Sequence, residues 1–223
     1  MDARYIRNLG AITEADCSLL RQKTVLVVGC GGLGGYLMEY LARIGIGTIR
    51  CVDGDVFDKT NLNRQILATT DTLGKSKVQS AAERLQSVNP DVSVQPVCAF
   101  LDSSNAKEFV QGCDMVLDAL DNIPSRKILA DACAQASIPY VFGAISGWVA
   151  QAGISIPGDR MIQTLYPDGI EVKDKSVLSF TPAMCAALQA SLCISFLLGH
   201  PVETGKLHYF DLFCEEYEKI PIN

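Results

Sequence analysis

Residues 24–45, TVLVVGCGGLGGYLMEYLARIG, write a strand, a tight turn and a helix into one continuous stretch. Thr24 to Val28 is an apolar, β-branched run of strand length, and from Leu33 onward the apolar positions return at helical spacing. Between them Gly29, Gly31 and Gly34 form G-x-G-x-x-G, with Gly32 and Gly35 adding further bare backbone. Such a loop turns tightly and brings the amides of a helix N-terminus close to a phosphate or a ribose. TIRCVD (48–53) follows as a second strand, and its closing Asp53 stands where a carboxylate takes the hydroxyls of a ribose. A crossover that merely needs small residues is the bland alternative. The register of strand, glycines, helix and acid argues against it.

Outward from this stretch the same rhythm continues. KSKVQSAAERLQSV (75–88), AKEFVQG (106–112) and SRKILADACAQA (125–136) read as helices, while VSVQPVCA (92–99), DMVLDAL (114–120) and PYVFGA (139–144) read as strands. Alternation at this spacing means right-handed βαβ units, so the fold class is α/β: a Rossmann-like, doubly wound, mainly parallel sheet with helices on both faces. Beyond Gly147 the rhythm changes. WVAQAGISI (148–156), MIQTLY (161–166) and KLHYFDL (206–212) are expected to be strands of an antiparallel C-terminal extension, with an apolar helix over 182–198 packed against it. The polar, Gly- and Pro-punctuated segment 167–182 reads as a crossover loop of functional length. The chain is expected to be one domain, 1–223, with a nucleotide-binding βαβ part over 1–145 and the extension over 146–223.

Composition narrows the function. At 223 residues with 48% hydrophobic and 20% charged residues, the chain can bury a sizeable core and is neither disordered nor fibrous. A net charge of -6 and a pI near 4.9 argue against broad binding to nucleic acid or to an anionic membrane. The stretch Ala183 to Leu198 carries Gln189, Ser191 and Ser195 and is short of the ~20 apolar residues a membrane span needs. The N-terminal MDARYIRNLGAITEADC has no apolar signal core, so a cytoplasmic location is expected. Nine scattered cysteines form no C-x-x-C pair and read as reduced thiols, with neither a disulfide frame nor a zinc site.

The glycine loop and Asp53 would suit NAD as well as ATP, and the following residues favour phosphate chemistry. Arg64 and Lys77 lie in GDVFDKTNLNRQ (54–65) and GKSKV (74–78), and a triphosphate needs such cations to offset its charge and the charge that develops during displacement at phosphorus. Asn61 and Asn63 can position ribose or phosphate oxygens. DMVLDALDN (114–122) ends in Asp118, Asp121 and Asn122 at the carboxyl end of a strand, where ligands of open parallel sheets sit. Asp121 facing a triphosphate is expected to hold Mg²⁺. For Asn122 a helix N-cap ahead of Pro124 is an equal alternative.

Taken in order, R-Y-x-R (Arg4 to Arg7), G-x-G-G-L-G (Gly29 to Gly34), D-x-D (Asp53 to Asp55), N-L-N-R-Q (Asn61 to Gln65), G-K-x-K-V (Gly74 to Val78), N-P (Asn89 to Pro90) and D-N-x-x-x-R (Asp121 to Arg126) resemble the ThiF/MoeB/HesA family, bacterial relatives of ubiquitin-activating enzymes. G-A-x-x-G at Gly143 to Gly147 extends the likeness. The resemblance implies an enzyme that binds ATP·Mg²⁺ and lets a carboxylate attack the α-phosphorus, giving an acyl adenylate and pyrophosphate. The implied partner is a ubiquitin-like sulfur carrier ending in Gly-Gly. By the same resemblance Gly29, Gly31 and Gly32 would meet the nucleotide, Asp53 the ribose with Asp55 beside it, and Thr60, Asn61, Leu62, Asn63, Arg64 and Lys77 the ribose and phosphates. Asp121 would hold the magnesium with Asn122 adjacent. Arg7 would reach the triphosphate of a neighbouring subunit, which makes a homodimer part of the site.

Departures from the family pattern shape the expectation further. Members that bind zinc carry two C-x-x-C pairs, whereas this chain has Thr164 and Tyr166 near one position and only Cys214 near the other, so zinc is expected to be absent. Residues 167–182 contain no cysteine, and Cys185 opens an apolar helix, so adenylation without an enzyme thioester is expected. Two other readings stay open: adenylation of a small-molecule carboxylate or another peptide C-terminus, and an NAD-binding or nucleotide-sensing Rossmann protein.

Overall fold

In the computed structural model, residues 2–170 and 176–222 are described. A 3-10 turn over Ala3–Asn8 and helix α1 (Glu14–Leu20) lead into strand β1 (Thr24–Val28), helix α2 (Gly32–Ile44) and strand β2 (Thr48–Val52). Helix α3 (Lys77–Val88), β3 (Ser93–Val97), α4 (Ala106–Val110), β4 (Met115–Asp118), α5 (Ile123–Ala136) and β5 (Tyr140–Ser146) continue the alternation. The chain ends with β6 (Val149–Ser155), α6 (Met161–Leu165), α7 (Phe180–Leu197), β7 (Lys206–Asp211) and β8 (Glu216–Pro221).

All eight strands form one sheet in the order β3-β2-β1-β4-β5-β6-β7-β8. β1 pairs in parallel with β2 and β4, and β5 joins β4 in parallel, whereas β6, β7 and β8 add on antiparallel. Strand order reverses between β1 and β4. That reversal is the crevice where open α/β sheets take ligands, outside the carboxyl ends of their strands.

Alternate residues of each central strand feed opposite layers, as the period of two demands. Val25 and Val27 point into the layer of Leu37, Leu41, Leu85 and Cys193, and Leu26 and Val28 into the layer of Leu129, Tyr140, Phe142 and Ile162. Both layers are needed because a parallel sheet must be covered on both faces. Leu37 and Leu41 are fully buried, so truncating either to alanine is worth roughly 2–5 kcal/mol. The apolar α7 packs on α2, β5 and β6.

One expectation is corrected. MIQTLY forms no strand: Met161–Leu165 is helix α6, with Met161 and Ile162 buried in the second layer and Gln163 Nε2 donating to Asp131 of α5 at 3.0 Å. Its apolar positions 161, 162 and 165 fall on one helical face, which the packing against α5 selects. The antiparallel extension is instead completed by β8, every residue of which is exposed. The crossover segment 167–182 is described only in part, since 171–175 lie outside the described residues. Its return, Ser176 and Val177, is joined to Gly147 by the bond from Gly147 N to the Ser176 carbonyl at 2.8 Å.

Candidate functional site

The glycine loop sits at the point of strand reversal. Gly29 takes φ +97°, a left-handed backbone that favours glycine. A Cβ on Gly29 would stand 2.5 Å from the Ala119 carbonyl oxygen, and one on Gly34 would stand 1.8 Å from the Gly29 carbonyl oxygen. The fold itself demands these two glycines. Gly32 differs, because a Cβ there would meet Pro182 at 3.4 Å and Arg64 at 3.8 Å, which are ordinary contacts. Packing of the chain therefore does not require its bareness. Gly31 is the N-cap of α2 and offers no side chain to the first helical amides, which leaves that terminus for an outside acceptor.

Asp53 binds this loop to the end of β2. Its Oδ2 accepts from Cys30 N at 2.7 Å and its Oδ1 from Asp55 N at 2.8 Å. Each oxygen keeps acceptor capacity for a hydroxyl. The chain then makes a 3-10 turn over Lys59–Asn61, where Asp58 accepts from Thr60 N at 2.6 Å and Asn61 Oδ1 accepts from Asp58 N at 3.1 Å. Thr60 and Asn61 are thus committed to shaping the turn, and Leu62 is exposed on it. The turn brings Arg64 over Gly32, with Nη1 donating to the Thr60 carbonyl and to Asn63 Oδ1, both at 2.9 Å. Asn63 Nδ2 donates to the Val177 carbonyl at 3.2 Å and so ties this arm to the return of the crossover segment.

Lys77 opens α3 with its side chain only 9% exposed and Nζ 3.1 Å from Asp55 Oδ2. A lysine side chain so far out of water is not an ordinary surface charge. Its field reaches the glycine loop: contact with Cys51 and burial push the Cys30 thiol well above its ordinary range, and the Lys77 charge opposes them. Gln65 packs its amide against Gly31, and its buried Oε1 has no hydrogen-bond partner among the described residues. The arrangement of bare backbone, two cations and an uncapped helix terminus fits a phosphate-bearing ligand.

The second wall of the crevice is the exit of β4. Val28 of β1 lies opposite Asp118, so the glycine loop and residues 119–122 emerge side by side. Asp121 is exposed there. Asn122 is the N-cap of α5, its Oδ1 accepting from Ser125 N at 2.9 Å. Its Nδ2 also donates to Asp121 Oδ1 at 3.3 Å. Among the described residues no three His, Cys, Asp or Glu side chains gather as a metal site, so a cation at Asp121 would draw its other ligands from phosphates and water. Beneath this turn lies a polar group that the sequence reading missed, Asp118 with Arg126 and Tyr140. Burial raises the Asp118 carboxyl above its ordinary value, against the opposing pull of Arg126, Tyr140 and the Leu120 amide. The available signal was an acid closing an apolar strand eight residues before an arginine.

The remaining sequence features fall outside the crevice. Arg7 is exposed at the end of the N-terminal 3-10 turn, and the single chain leaves its expected cross-subunit role untouched. That turn is fastened by its neighbours: Arg4 donates to Asn89 Oδ1 and to Asp91 at 2.9 Å, and Asn89 Nδ2 donates to the Tyr5 hydroxyl at 2.7 Å. R-Y-x-R and N-P are thus two halves of one lock. Cys185 is fully buried, its thiol 3.2 Å from the Gln151 carbonyl and pushed up to about 12 by burial. A cavity of about 410 Å³ between the later turns of α2 and α7, lined by Tyr40, Ile44 and Ile194, lies at the opposite end of α2 from the glycines and is no part of this site.

Comparison with known proteins gives consistent results. A family model described as the ThiF family matches residues 4–223. The chain is 39% identical over 210 residues to the SAMP-activating enzyme E1 of Haloferax volcanii, spanning 91% of this chain and 77% of that protein. It is 32% identical over 217 residues to the sulfur carrier protein adenylyltransferase of Thermus thermophilus, spanning 91% and 80%. The crystal structure of E. coli MccB with ATP matches all of this chain (100%) and 72% of its own, with a TM-score of 0.86 at 24% identity, a likeness of fold.

Proposed function

The chain belongs to the ThiF family, and from that premise we propose that it is an ATP-dependent adenylyltransferase that activates the C-terminal carboxylate of a ubiquitin-like sulfur carrier. The observation that carries the reading is the buried Lys77, paired with Asp55, together with Arg64 set over the bare Gly32 of the glycine loop. The names of the Haloferax and Thermus relatives supply the partner class. Adenylyltransferase is the named class of the Thermus relative, and the α/β fold is shared with MccB.

In the proposed reaction a carboxylate oxygen attacks the α-phosphorus of ATP. The bond from that phosphorus to the oxygen bridging the β-phosphate breaks, and pyrophosphate leaves with the electron pair. The acyl adenylate forms without proton transfer, because the nucleophile is already ionised. What the protein must supply is position and charge. Gly29, Gly31, Gly32 and the first amides of α2 receive phosphate, Asp53 takes ribose hydroxyls, and Lys77 and Arg64 offset the charge that grows on the phosphoryl oxygens. Lys77 acts from a partly dry site, where a fixed charge counts for more than in water. Among the described residues Arg64 spends only Nη1 on its contacts, one of three guanidinium nitrogens. Magnesium, held by Asp121 with phosphate oxygens, would neutralise part of the triphosphate charge. Arg7 from a second subunit would complete the cationic ring in a homodimer. Cys185 takes no part, and the reading ends at the acyl adenylate without an enzyme thioester.

Exchange of labelled pyrophosphate into ATP, run with candidate carriers, small carboxylic acids and no acceptor, tests the proposal. Carrier-dependent exchange is expected. Exchange with small acids alone would move the substrate class, and tight NAD binding without any exchange would overturn the reading.

A further inference from the structure

Five hydrogen bonds converge beneath the turn that carries Asp121. Asp118, fully buried, accepts from Arg126 Nη1 at 2.7 Å and from the Tyr140 hydroxyl through Oδ2, and from Leu120 N at 2.8 Å through Oδ1. Arg126 also donates to the Gly143 carbonyl at 2.6 Å and to the Leu120 carbonyl. Its guanidinium carbon lies 5.0 Å from the centre of the Phe142 ring. Stability is a poor explanation for burying this pair, since buried ion pairs often exchange for apolar residues of similar volume without loss. The geometry offers another. The pair holds both polar groups of the Leu120 backbone, one through each partner. On the far side Asn122 is fixed as the cap of α5. Asp121 is thereby pinned from both sides while its own side chain remains exposed.

We propose that Asp118 and Arg126 are positioning residues that hold the 120–122 turn so that the Asp121 carboxylate meets the metal of a metal-nucleotide. Neither touches nucleotide or metal in this scheme. The inference rests on the assignment of Asp121 under the proposed function, and it adds where that carboxylate gets its fixed direction. A flexible turn would have to order itself at each binding event, and the preformed turn removes that cost.

The test reads metal coupling rather than turnover. ATP affinity is measured by calorimetry with magnesium present and with magnesium chelated, and the ratio of the two is the coupling. The intact chain should show a ratio well above one, and Asp121→Asn should bring it close to one. The double variant Asp118→Leu with Arg126→Met removes the grip while leaving no unpaired buried charge, so it should fold. We expect its affinity for metal-free ATP to stay within twofold, its coupling to fall about tenfold, and the Leu120 amide to exchange faster with deuterium. A folded double variant with unchanged coupling and unchanged Leu120 protection overturns the inference while leaving the role of Asp121 standing. Should the double variant not fold, Arg126→Lys serves instead, because a lysine keeps the charge but cannot grip Asp118 and the Leu120 carbonyl together. Unchanged coupling in that variant likewise overturns the inference. Full coupling in Asp121→Asn removes the metal assignment itself and this inference with it.

Discussion

Replacing Gly32 and Gly34 separately by alanine distinguishes a glycine kept for a ligand from one kept for the fold. A Cβ at Gly32 finds neighbours at 3.4 and 3.8 Å, so the chain accommodates it without moving. Alanine is also the better helix former by up to about 1 kcal/mol, and Gly32 is the first residue of α2. The free Gly32→Ala protein should therefore melt at the wild-type temperature or up to about 4 °C above it. At Gly34 the new carbon would stand 1.8 Å from a backbone oxygen that cannot rotate away. Such overpacking costs about 3 kcal/mol or more, so Gly34→Ala should lose at least about 6 °C. Binding should follow the reverse order of concern. The methyl of Gly32→Ala occupies surface that a phosphate must approach, and a loss of about 1.4 kcal/mol is already a tenfold drop in affinity. Thermal melts by circular dichroism without nucleotide, followed by ATP titration calorimetry, supply both readings. A Gly32→Ala protein with unaltered melting and unaltered ATP affinity would refute the cradle.

The other predictions concern charge, thiol and pH. Arg64→Ala, Lys77→Met and Asp121→Ala should each lower the pyrophosphate exchange rate about a hundredfold or more if they hold transition-state charge or metal; losses under threefold in all three, measured on folded protein, would remove the mechanism. Cys185→Ala should keep exchange within twofold, because a buried thiol raised to about 12 is neither ionised nor accessible near neutral pH, and a tenfold loss would reinstate it. His208 is held below the ordinary value of 6.5, first by burial and then by Lys219. The folded state therefore binds fewer protons than the unfolded state, so its contribution is present above pH 6.5 and fades as pH falls through the lower folded value. Urea midpoints should decline from pH 7.5 to 5.5 in the wild type and decline less in His208→Gln, and equal slopes would sink that assignment.

Legibility followed the range of the forces involved. The stretch 24–53 was readable because strand period, helix period, glycine chemistry and a closing acid all act over a few residues, and the observed elements Thr24–Val28, Gly32–Ile44 and Thr48–Val52 differ from the expectation only at their ends. MIQTLY was misread because five or six residues are too few for one period to prevail, and docking on α5 decided it. β8 escaped notice for a related reason: EYEKIP is exposed throughout, so no alternation of burial marks it, and its backbone pairing with β7 is what makes it a strand. In the site, the sequence pattern put Arg64 and Asp121 on loops and Lys77 at the head of a helix, where the structure has them. Spacing could not show that Lys77 is buried, nor that Arg4, Tyr5 and Asn89 form one lock across more than eighty residues. Those are products of tertiary packing, and a linear pattern carries only their ingredients.

The partial burial of Lys77 has a consequence for how the site would work. Its side chain is 9% exposed, whereas that of its partner Asp55 is 55% exposed and keeps much of its hydration. The two charges therefore do not compensate evenly: the lysine has lost water that a half-solvated carboxylate only partly replaces. Folding carries that cost before any ligand arrives. An incoming phosphate then finds a cation that has already lost most of its water, so more of the attraction between them remains as binding and as stabilisation of developing charge. Arg64 stands in the opposite condition, half-buried and held by neutral groups of its own turn, Thr60 and Asn63. It can turn toward a ligand at little cost and is tied through Asn63 to the return of the crossover segment. One cation is fixed and dry, the other adjustable and linked to a loop, and on this reading the first supplies field while the second supplies fit.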